Sequence, residues 1–347
     1  MTRPPFSGII SPMITRTYTH FDLKQIAASG QCFRLRETAP GRFSAVSGEK
    51  ALTVVQEGDC FSFHCSQEDF PFWETYFDLH TDYGKVQEMI SPKDPYLMAA
   101  ARFGSGIRIL RQDLWEMIIT FVISQQRTIP KIREAVEQLS ALYGHPIPGS
   151  GGGSGLIPDE ASVSAGRPCG GPDGGLSAGL DSGPGGASQD QNASRRTFPT
   201  PEELNRASLD DLAALKLGYR AKYIKRLCQD AAEGTLNLER LWAMDYAQAM
   251  EYLTGFYGIG VKVANCVCLY GLHHIDAFPV DTWIQKILLR EYYPRHPRKY
   301  AALPRAALSP AIVRDFFGRY RGCQGIMQQY IFYYERFRDA SDGPPSP

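Results

Sequence analysis

The sequence has no long apolar run, few cysteines and no excess of charge of either sign. No stretch approaches the roughly 18 apolar residues of a membrane-spanning helix, and the first ten residues lack the apolar region of a signal peptide. Eight cysteines are too few for a disulfide scaffold, and the absence of a Cys-x-x-Cys motif argues against a zinc ribbon or redox pair. These absences predict an intracellular protein, cytoplasmic in a bacterium, with no membrane partner, whose cysteines are mostly small buried residues.

One segment hides a positive charge in the rest of the chain. The totals of 37 basic and 37 acidic residues cancel, but residues 148–194 hold five of the acids and one of the bases. The other 300 residues therefore carry a net charge of +4, which leaves room for a polyanionic partner. The same segment contains 14 glycines, eight serines and no aromatic residue, so we expect it to be a disordered insert.

The sequence up to residue 103 begins with a strand pattern. Phe61, Phe63 and Cys65 alternate with polar residues, and Leu52 and Val54 alternate in the preceding run. Alternation with a period of two is typical of half-buried strands, so we predict an antiparallel meander.

Helical signals dominate the remainder. We predict one helix over residues 70–89, and an apolar stripe with helical spacing follows from residue 112, formed by Leu114, Met117, Ile118, Phe121 and Val122. Capping boxes beginning at Thr200 and Ser208 mark two further helix starts. A last helix is predicted over about 325–337.

The stretch 253–272 contains the strongest local signal. Gly258, Ile259 and Gly260 form a tight turn between two predicted helices. Backbone N–H groups at the start of the second helix suit a phosphate oxygen, directly or through a monovalent cation on the carbonyl groups of the turn. A helix–turn–helix with glycines at positive φ explains the turn equally well.

Lys262 and Asp281 add chemistry to this turn. Lys262 lies in the first turn of the second helix, where the positive end of the helix dipole favours the neutral, nucleophilic amine. Asp281 follows 19 residues later, just before another predicted helix. Taken singly, Lys262 could be a solvated surface lysine and Asp281 a helix cap.

These residues resemble a known family. The runs 258–262 (GIGVK) and 279–281 (PVD) resemble the helix-hairpin-helix (HhH-GPD) DNA glycosylase superfamily, and within it the 8-oxoguanine DNA glycosylases. Four more segments are similar to that family, GQCFR (30–34), IRILRQD (107–113), GYRAKY (218–223) and KVANCVC (262–268).

The resemblance implies an α+β protein of two domains. A twisted antiparallel sheet domain would span residues 1–103. An all-α helix-hairpin-helix domain would span residues 104–147 and 195–340, interrupted by the insert at 148–194. The expected partner is damaged double-stranded DNA, the expected state is a monomer, and neither a cofactor nor a side-chain metal site is expected.

The resemblance also assigns catalytic roles. Lys262 would attack C1′ of a flipped nucleotide and expel the base, and Asp281 would stabilise the positive charge that develops on the sugar. The resulting Schiff base would allow β-elimination at the 3′ phosphate. Flipping is required because C1′ is inaccessible in a stacked duplex.

The lesion-base pocket follows from the same resemblance. The Gly30 carbonyl would accept the N7–H that 8-oxoguanine has and guanine lacks. Cys266 and Tyr333 would stack on the two faces of the base, and Gln329 would bind its Watson–Crick edge. Without the resemblance, Gln329 and Tyr333 fit an ordinary helix that packs on the sheet.

On the opposite strand, the resemblance makes Tyr219 a wedge and Arg220 the reader of the estranged cytosine. Here the sequence departs from the eukaryote-like pattern of the family, since Gln126 and Lys131 stand where Asn and Arg are usual, and Trp283 stands where a phosphate-contacting His is familiar. These departures put the strictness of opposite-base selection in doubt, not the reaction.

Two alternative functions remain open from the sequence. A glycosylase for other oxidised or alkylated bases is the first, although Cys323 is the only cysteine after Asp281 and the iron–sulfur cluster of the endonuclease III kind needs four. A non-catalytic DNA-binding module is the second, and it predicts no covalent chemistry at Lys262.

Overall fold

The computed structural model describes residues 12–148 and 195–338. The predicted insert at 148–194 lies outside these residues except for Pro148, so its expected disorder stays a prediction.

The described residues on either side of the insert pair with each other. Ile147 N donates to Arg195 O at 2.8 Å, and Thr197 N donates to His145 O at 2.9 Å. These antiparallel backbone contacts hold the two ends of the insert together, so the insert need not separate the helices on either side of it.

Five antiparallel strands form one sheet, in the order β1-β5-β4-β3-β2. They are β1 (Met13–Thr17), β2 (Leu35–Ala39), β3 (Arg42–Ser47), β4 (Lys50–Glu57) and β5 (Cys60–His64). The last three are joined by short turns and confirm the predicted meander. Leu52, Val54, Phe61 and Phe63 are completely buried, because alternate side chains of these strands point into one core.

Sixteen α-helices account for most of the remaining described residues. They are α1 (Leu23–Ala28), α2 (Phe70–Tyr76), α3 (Tyr83–Glu88), α4 (Pro95–Phe103), α5 (Leu114–Ile123), α6 (Ile129–Tyr143), α7 (Pro201–Asn205), α8 (Leu209–Ala214), α9 (Arg220–Ala232), α10 (Leu238–Trp242), α11 (Tyr246–Thr254), α12 (Val261–Tyr270), α13 (Thr282–Ile287), α14 (Pro297–Ala301), α15 (Arg305–Phe316) and α16 (Gln324–Phe337). A π-helical turn, Leu288–Tyr292, continues α13. None of the helices in the described ranges is both long and apolar enough to cross a membrane.

The single helix predicted over 70–89 is wrong, since α2 and α3 occupy that stretch with a break between them. Asp78 adopts a left-handed φ of 52°, which ends a helix. Asp82 then accepts a hydrogen bond from Lys85 N at 3.1 Å and caps α3. Other local signals are confirmed, because the capping boxes at Thr200 and Ser208 both form.

The apolar side chains form two clusters. One lies between the sheet, α1 and α2. The other joins the helices from α3 to α16, and it contains Tyr83, Leu97 and Ala100 of α3 and α4. Side chains N-terminal to residue 103 thus contribute to the helical core, and the domain boundary at that residue stays a prediction. Within this core α12 packs on α5, and α16 packs on α4.

Candidate active site

The turn between α11 and α12 depends on Gly258. Its φ is 93°, and a Cβ atom there would lie 2.4 Å from Cγ of Tyr223, so only glycine fits. Gly260 has a φ of −88°, and a Cβ atom on it would meet no other atom within 4 Å, so the expectation of positive φ is wrong for this second glycine. Ile259 is 3% exposed and anchors the turn in the helical core.

The N-terminus of α12 offers uncapped N–H groups. Gly260 is the N-cap residue, and in the described chain no side chain caps the helix there. The first intrahelical bond of α12 runs from Ala264 N to Gly260 O at 2.9 Å. The N–H groups before Ala264 therefore have no intrahelical acceptor, and the neighbouring Val261 is 67% exposed. This end of α12 has the geometry for an anion.

Lys262 lies one residue further along α12 and is partly buried. Its Nζ is 3.3 Å from Ser124 Oγ and 5.4 Å from the centre of the Phe121 ring. Phe121 is itself stacked on Tyr270, with ring centres 5.3 Å apart and planes within 18°. The backbone of Lys262 belongs to the exposed first turn of α12, but its amine lies beside the C-terminal end of α5.

Cys266 lies one turn after Lys262 and is 3% exposed. Burial raises the pKa of its thiol; Lys262, which lies within hydrogen-bonding reach, opposes this rise, and the negative charge of Asp281 adds to it. The thiol is therefore neutral near pH 7 and acts as a packing group. The thiol of Cys266 thus senses the charges of both Lys262 and Asp281.

Asp281 is the N-cap of α13. Its Oδ1 accepts a hydrogen bond from Ile284 N at 2.8 Å, and the residue is partly buried. The cap fixes one carboxylate oxygen and thereby orients the group. Asp281 therefore has the capping role that the sequence offered as an alternative. A chemical role is still open to it, because no hydrogen bond to its second carboxylate oxygen is found among the described residues.

Gly30 lies at a turn with a φ of 81°. A Cβ atom on it would lie 3.1 Å from Ile129 Cδ1 and 3.4 Å from both Phe332 Cε1 and Arg336 Nη1. The loop therefore faces α6 on one side and the second half of α16 on the other. Of the two neighbouring aromatic residues of α16, Phe332 is the one beside Gly30.

Tyr333 and Gln329 are less available to a ligand than the sequence predicts. Tyr333 is 1% exposed and packs on Phe103 and Phe337. Gln329 is also 1% exposed, and its amide is already paired, accepting from Tyr270 Oη at 2.5 Å and donating to Ser29 O at 2.7 Å.

Their neighbours on α16 have the features that the pocket requires. Phe332 is partly buried and faces Gly30. Gln328 is 4% exposed, and its Oε1 has no hydrogen-bond donor in the described residues, which leaves a buried acceptor open. Gln328 and Phe332 have the same i, i+4 spacing as Gln329 and Tyr333, so the spacing alone does not separate the two pairs.

The residues predicted to face the opposite strand differ in their freedom. Tyr219 is 44% exposed, whereas Arg220 is 7% exposed, and the Arg220 guanidinium lies 4.5 Å from the Tyr219 ring centre. Arg220 Nε donates to Gln125 O at 2.7 Å, so this arginine is not solvated. Gln126 is exposed at a φ of 52°.

Lys131 and Trp283, like Gln126, are exposed departures from the family pattern. The Lys131 side chain is 64% exposed and lies 3.8 Å from Glu134. Trp283 is 46% exposed, with Lys286 Nζ 5.5 Å from its ring centre. Both side chains are therefore available to a partner at the surface.

The described residues contain no group of three or more His, Cys, Asp or Glu side chains that could hold a metal ion. The carbonyl oxygen of Gly258 in the hairpin accepts from Gln125 Nε2 at 2.9 Å. A monovalent cation on the hairpin carbonyls stays a prediction.

Comparison with known families matches most of the described chain. The family described as "8-oxoguanine DNA glycosylase, N-terminal domain" matches residues 13–118. The family described as "HhH-GPD superfamily base excision DNA repair protein" matches residues 119–307. The matched ranges include Phe121, Ser124, Lys262, Cys266 and Asp281, and they end before α16.

Individual proteins give the same result. The structure of MBOgg1 in complex with a low affinity DNA ligand has a TM-score of 0.73 and 31% identity, covering 93% of this chain and 95% of that one. The Clostridium acetobutylicum 8-oxoguanine glycosylase/lyase, in complex with double-stranded DNA containing cytosine opposite 8-oxoG, has a TM-score of 0.72 and 29% identity, covering 92% of each chain. The N-glycosylase/DNA lyase of Saccharomyces cerevisiae is 30% identical over 198 residues, which are 54% of this chain but only 42% of the yeast protein.

Proposed function

The chain belongs to the HhH-GPD superfamily of base excision DNA repair proteins, and we propose from that premise that it excises 8-oxoguanine from duplex DNA as a bifunctional glycosylase and AP lyase. The observation that carries this proposal is the partly buried amine of Lys262, which lies in the first turn after an uncapped helix N-terminus and 3.3 Å from Ser124 Oγ. A non-catalytic DNA-binding module needs the helix end but has no use for a partly buried amine at that place.

The reaction begins with the amine of Lys262. Its lone pair forms a bond to C1′ of the flipped nucleotide while the C1′–N9 bond breaks, and the departing base takes the electron pair and a proton. Asp281 stabilises the positive charge on the sugar and accepts the proton that the amine loses. Ring opening gives a Schiff base, and loss of a C2′ proton then expels the 3′ phosphate by β-elimination.

DNA is held through the hairpin Gly258–Gly260. The open N–H groups at the start of α12 bind a phosphate of the lesion strand, and the positive end of the helix adds to the attraction. Because Lys262 lies in the first turn of the same helix, binding of this phosphate sets the distance between the amine and the sugar. Double-stranded DNA is accordingly the partner, bound inside the cell by a single copy of the protein.

For the lesion base we propose a pocket that includes Phe332 and Gln328 in place of Tyr333 and Gln329. The Phe332 ring and the Cys266 thiol would stack on the two faces of the base, and the Gly30 carbonyl would accept the N7–H. Gln328 would bind the Watson–Crick edge, which supplies a donor for its open Oε1. The side chains assigned to this pocket are those with an unsatisfied atom or a face toward Gly30.

Borohydride trapping tests the proposed function. The protein is incubated with duplexes that contain 8-oxoguanine, an oxidised pyrimidine or an alkylated purine, and borohydride reduces any Schiff base to a stable protein–DNA adduct. We expect an adduct with 8-oxoguanine, none from the Lys262→Gln variant, and retained DNA binding by that variant.

Lys85→Gln is the matched control, because its side chain is 79% exposed on α3, and it should trap like the wild type. Normal trapping by Lys262→Gln would refute the catalytic assignment. An adduct only with the oxidised pyrimidine or the alkylated purine would support the Schiff-base reaction but refute 8-oxoguanine as the substrate.

A further inference from the structure

Two side chains of α16 hold the loop that precedes Gly30. Gln329 Nε2 donates to Ser29 O at 2.7 Å, and Arg336 Nη1 donates to Ala28 O at 3.0 Å. The two carbonyl groups immediately before Gly30 are thus both taken up by side chains from the same helix, seven residues apart. Seven residues make nearly two helical turns, so both side chains project from one face of α16.

The carbonyl of Gly30 itself is left open. Among the described residues no group donates a hydrogen bond to it, whereas the carbonyl of the next residue, Gln31, accepts from Gln112 Nε2 at 2.9 Å. One free acceptor therefore lies between carbonyl groups that are held on both sides. Such an arrangement restricts the direction of the free C=O, because turning the backbone on either side of it breaks a hydrogen bond.

The side chains that hold the loop are themselves fixed. Gln329 is 1% exposed, and its Oε1 accepts from Tyr270 Oη at 2.5 Å, so the amide must turn its nitrogen toward the loop. The Arg336 guanidinium lies 5.4 Å from the ring centre of Phe332 and 4.9 Å from that of Phe337. Both contacts reach the loop from residues whose position is set by packing in the helical core.

We infer that Arg336 and Gln329 are positioning residues that aim the carbonyl of Gly30 at the flipped base and so set the preference for 8-oxoguanine over guanine. This inference rests on the proposed function, in which that carbonyl accepts the lesion's N7–H. Guanine presents a lone pair at N7, which a rigid carbonyl repels. A carbonyl that was free to rotate would turn away from guanine and lose most of the discrimination.

The experiment measures binding preference apart from catalysis. In the Lys262→Gln background, dissociation constants are measured for duplexes with 8-oxoguanine or guanine opposite cytosine, at one salt concentration. We expect Arg336→Met, which keeps the apolar stem and removes the donors, to lower the ratio of the two affinities by about fivefold. Arg336→Lys, which retains a donor, should restore part of the ratio.

Arg338→Met is the matched control at the end of α16. It removes the same charge, but Arg338 pairs with Glu335, with Nε 3.5 Å from Oε2, and lies over the Tyr334 ring. The ratio should be unchanged in this variant, and thermal midpoints of all variants should confirm that they are folded.

An unchanged ratio in folded Arg336→Met would overturn the inference, as would an equal fall in Arg338→Met, which would reveal a general effect of charge. Failure of Arg336→Lys to recover any preference would also count against it, because a second donor at the same place should hold Ala28 O. A wild-type protein that does not excise 8-oxoguanine would instead overturn the proposed function and this inference with it, so the two failures are told apart.

Discussion

The two sides of the candidate site are built by different means. On the side of α12 and α13, Lys262, Cys266 and Asp281 are placed by short-range features, namely a glycine turn, a helical repeat of four and an N-cap. On the side of α16, the position of the pocket residues depends on the rotation of the helix, that is, on which of its faces lies against the Gly30 loop. The first kind of information is written along the chain, and the second depends on contacts between distant segments.

The contrast explains why the residues predicted on α12 and α13 are retained, whereas on α16 the sequence predicts Gln329 with Tyr333 and we propose Gln328 with Phe332. The seven residues 325–331 of α16 are all buried, so the helix has no solvent face in that stretch to indicate its rotation. Adjacent pairs with the same spacing, Gln328 with Phe332 and Gln329 with Tyr333, are then equivalent in the sequence. In the structure they differ because Phe332 lies against Gly30 and Gln328 Oε1 lacks a donor, whereas Tyr333 packs on Phe103 and the amide of Gln329 is already paired.

The largest expected effect lies on the α13 side. Asp281→Asn should slow base release by about 100-fold, because the amide cannot stabilise the charge on the sugar, while the helix cap survives since Asn also caps. Single-turnover rates at equal occupancy measure this, and the thermal midpoint should hardly move.

Asp245→Asn is the matched control for this change. Asp245 caps α11 by accepting from Gln248 N at 2.9 Å, away from the reaction, so its variant should keep the wild-type rate. If Asp281→Asn also keeps that rate, Asp281 is a cap and nothing more, and the α13 side loses its chemical role.

A smaller effect on the α16 side tests the exchange of residues. Phe332→Ala should weaken binding of the 8-oxoguanine duplex by about tenfold, since base–aromatic stacking contributes about 1–3 kcal/mol. Tyr333→Phe should change it by less than about twofold, because the ring stays packed on Phe103 and only a hydroxyl group is lost. The opposite ranking would restore Tyr333 to the pocket and reverse the comparison between the two sides.

The smallest effect is expected on the face toward the opposite strand. There Arg220 is hydrogen-bonded to Gln125 O, whereas the side chain of Lys131 is 64% exposed. A guanidinium offers a planar fork and an ammonium a point charge, so wild type should excise best opposite cytosine and tolerate T, G or A. Lys131→Arg should raise the ratio of the excision rate opposite cytosine to the rates opposite T, G and A by roughly threefold to tenfold. Single-turnover rates against the four opposite bases measure this ratio.

Lys93→Arg, an exposed change on the loop before α4, should leave the opposite-base range alone. A wild-type enzyme that already rejects the three other bases, with no sharpening by Lys131→Arg, would leave the readout to Arg220. Arg220 already donates a hydrogen bond to Gln125 O. It would then have to break that hydrogen bond in order to donate to the opposite base.

The sequence by itself determined the meander, most helix starts and the glycine turn beside Lys262 and Asp281, whereas the α+β class and the role of Cys266 came from the family resemblance. The features determined by the sequence depend on residues close along the chain, through the two-residue period of strands, the caps of helices and the φ that Gly258 alone can adopt. Family resemblance added the function, and the matching families support it.

The break between α2 and α3 is local, set by the left-handed φ of Asp78 and the cap at Asp82. Tertiary structure alone decided the burial of Arg220 and the rotation of α16. Each depends on long-range contacts, such as the hydrogen bonds from Gln329 and Arg336 to the loop before Gly30. A buried helix exposes no side by which its sequence could reveal its orientation, and a carbonyl group has no side chain to mark it. The direction of the Gly30 carbonyl is therefore invisible in the sequence, and it follows only from how α16 packs against the sheet domain.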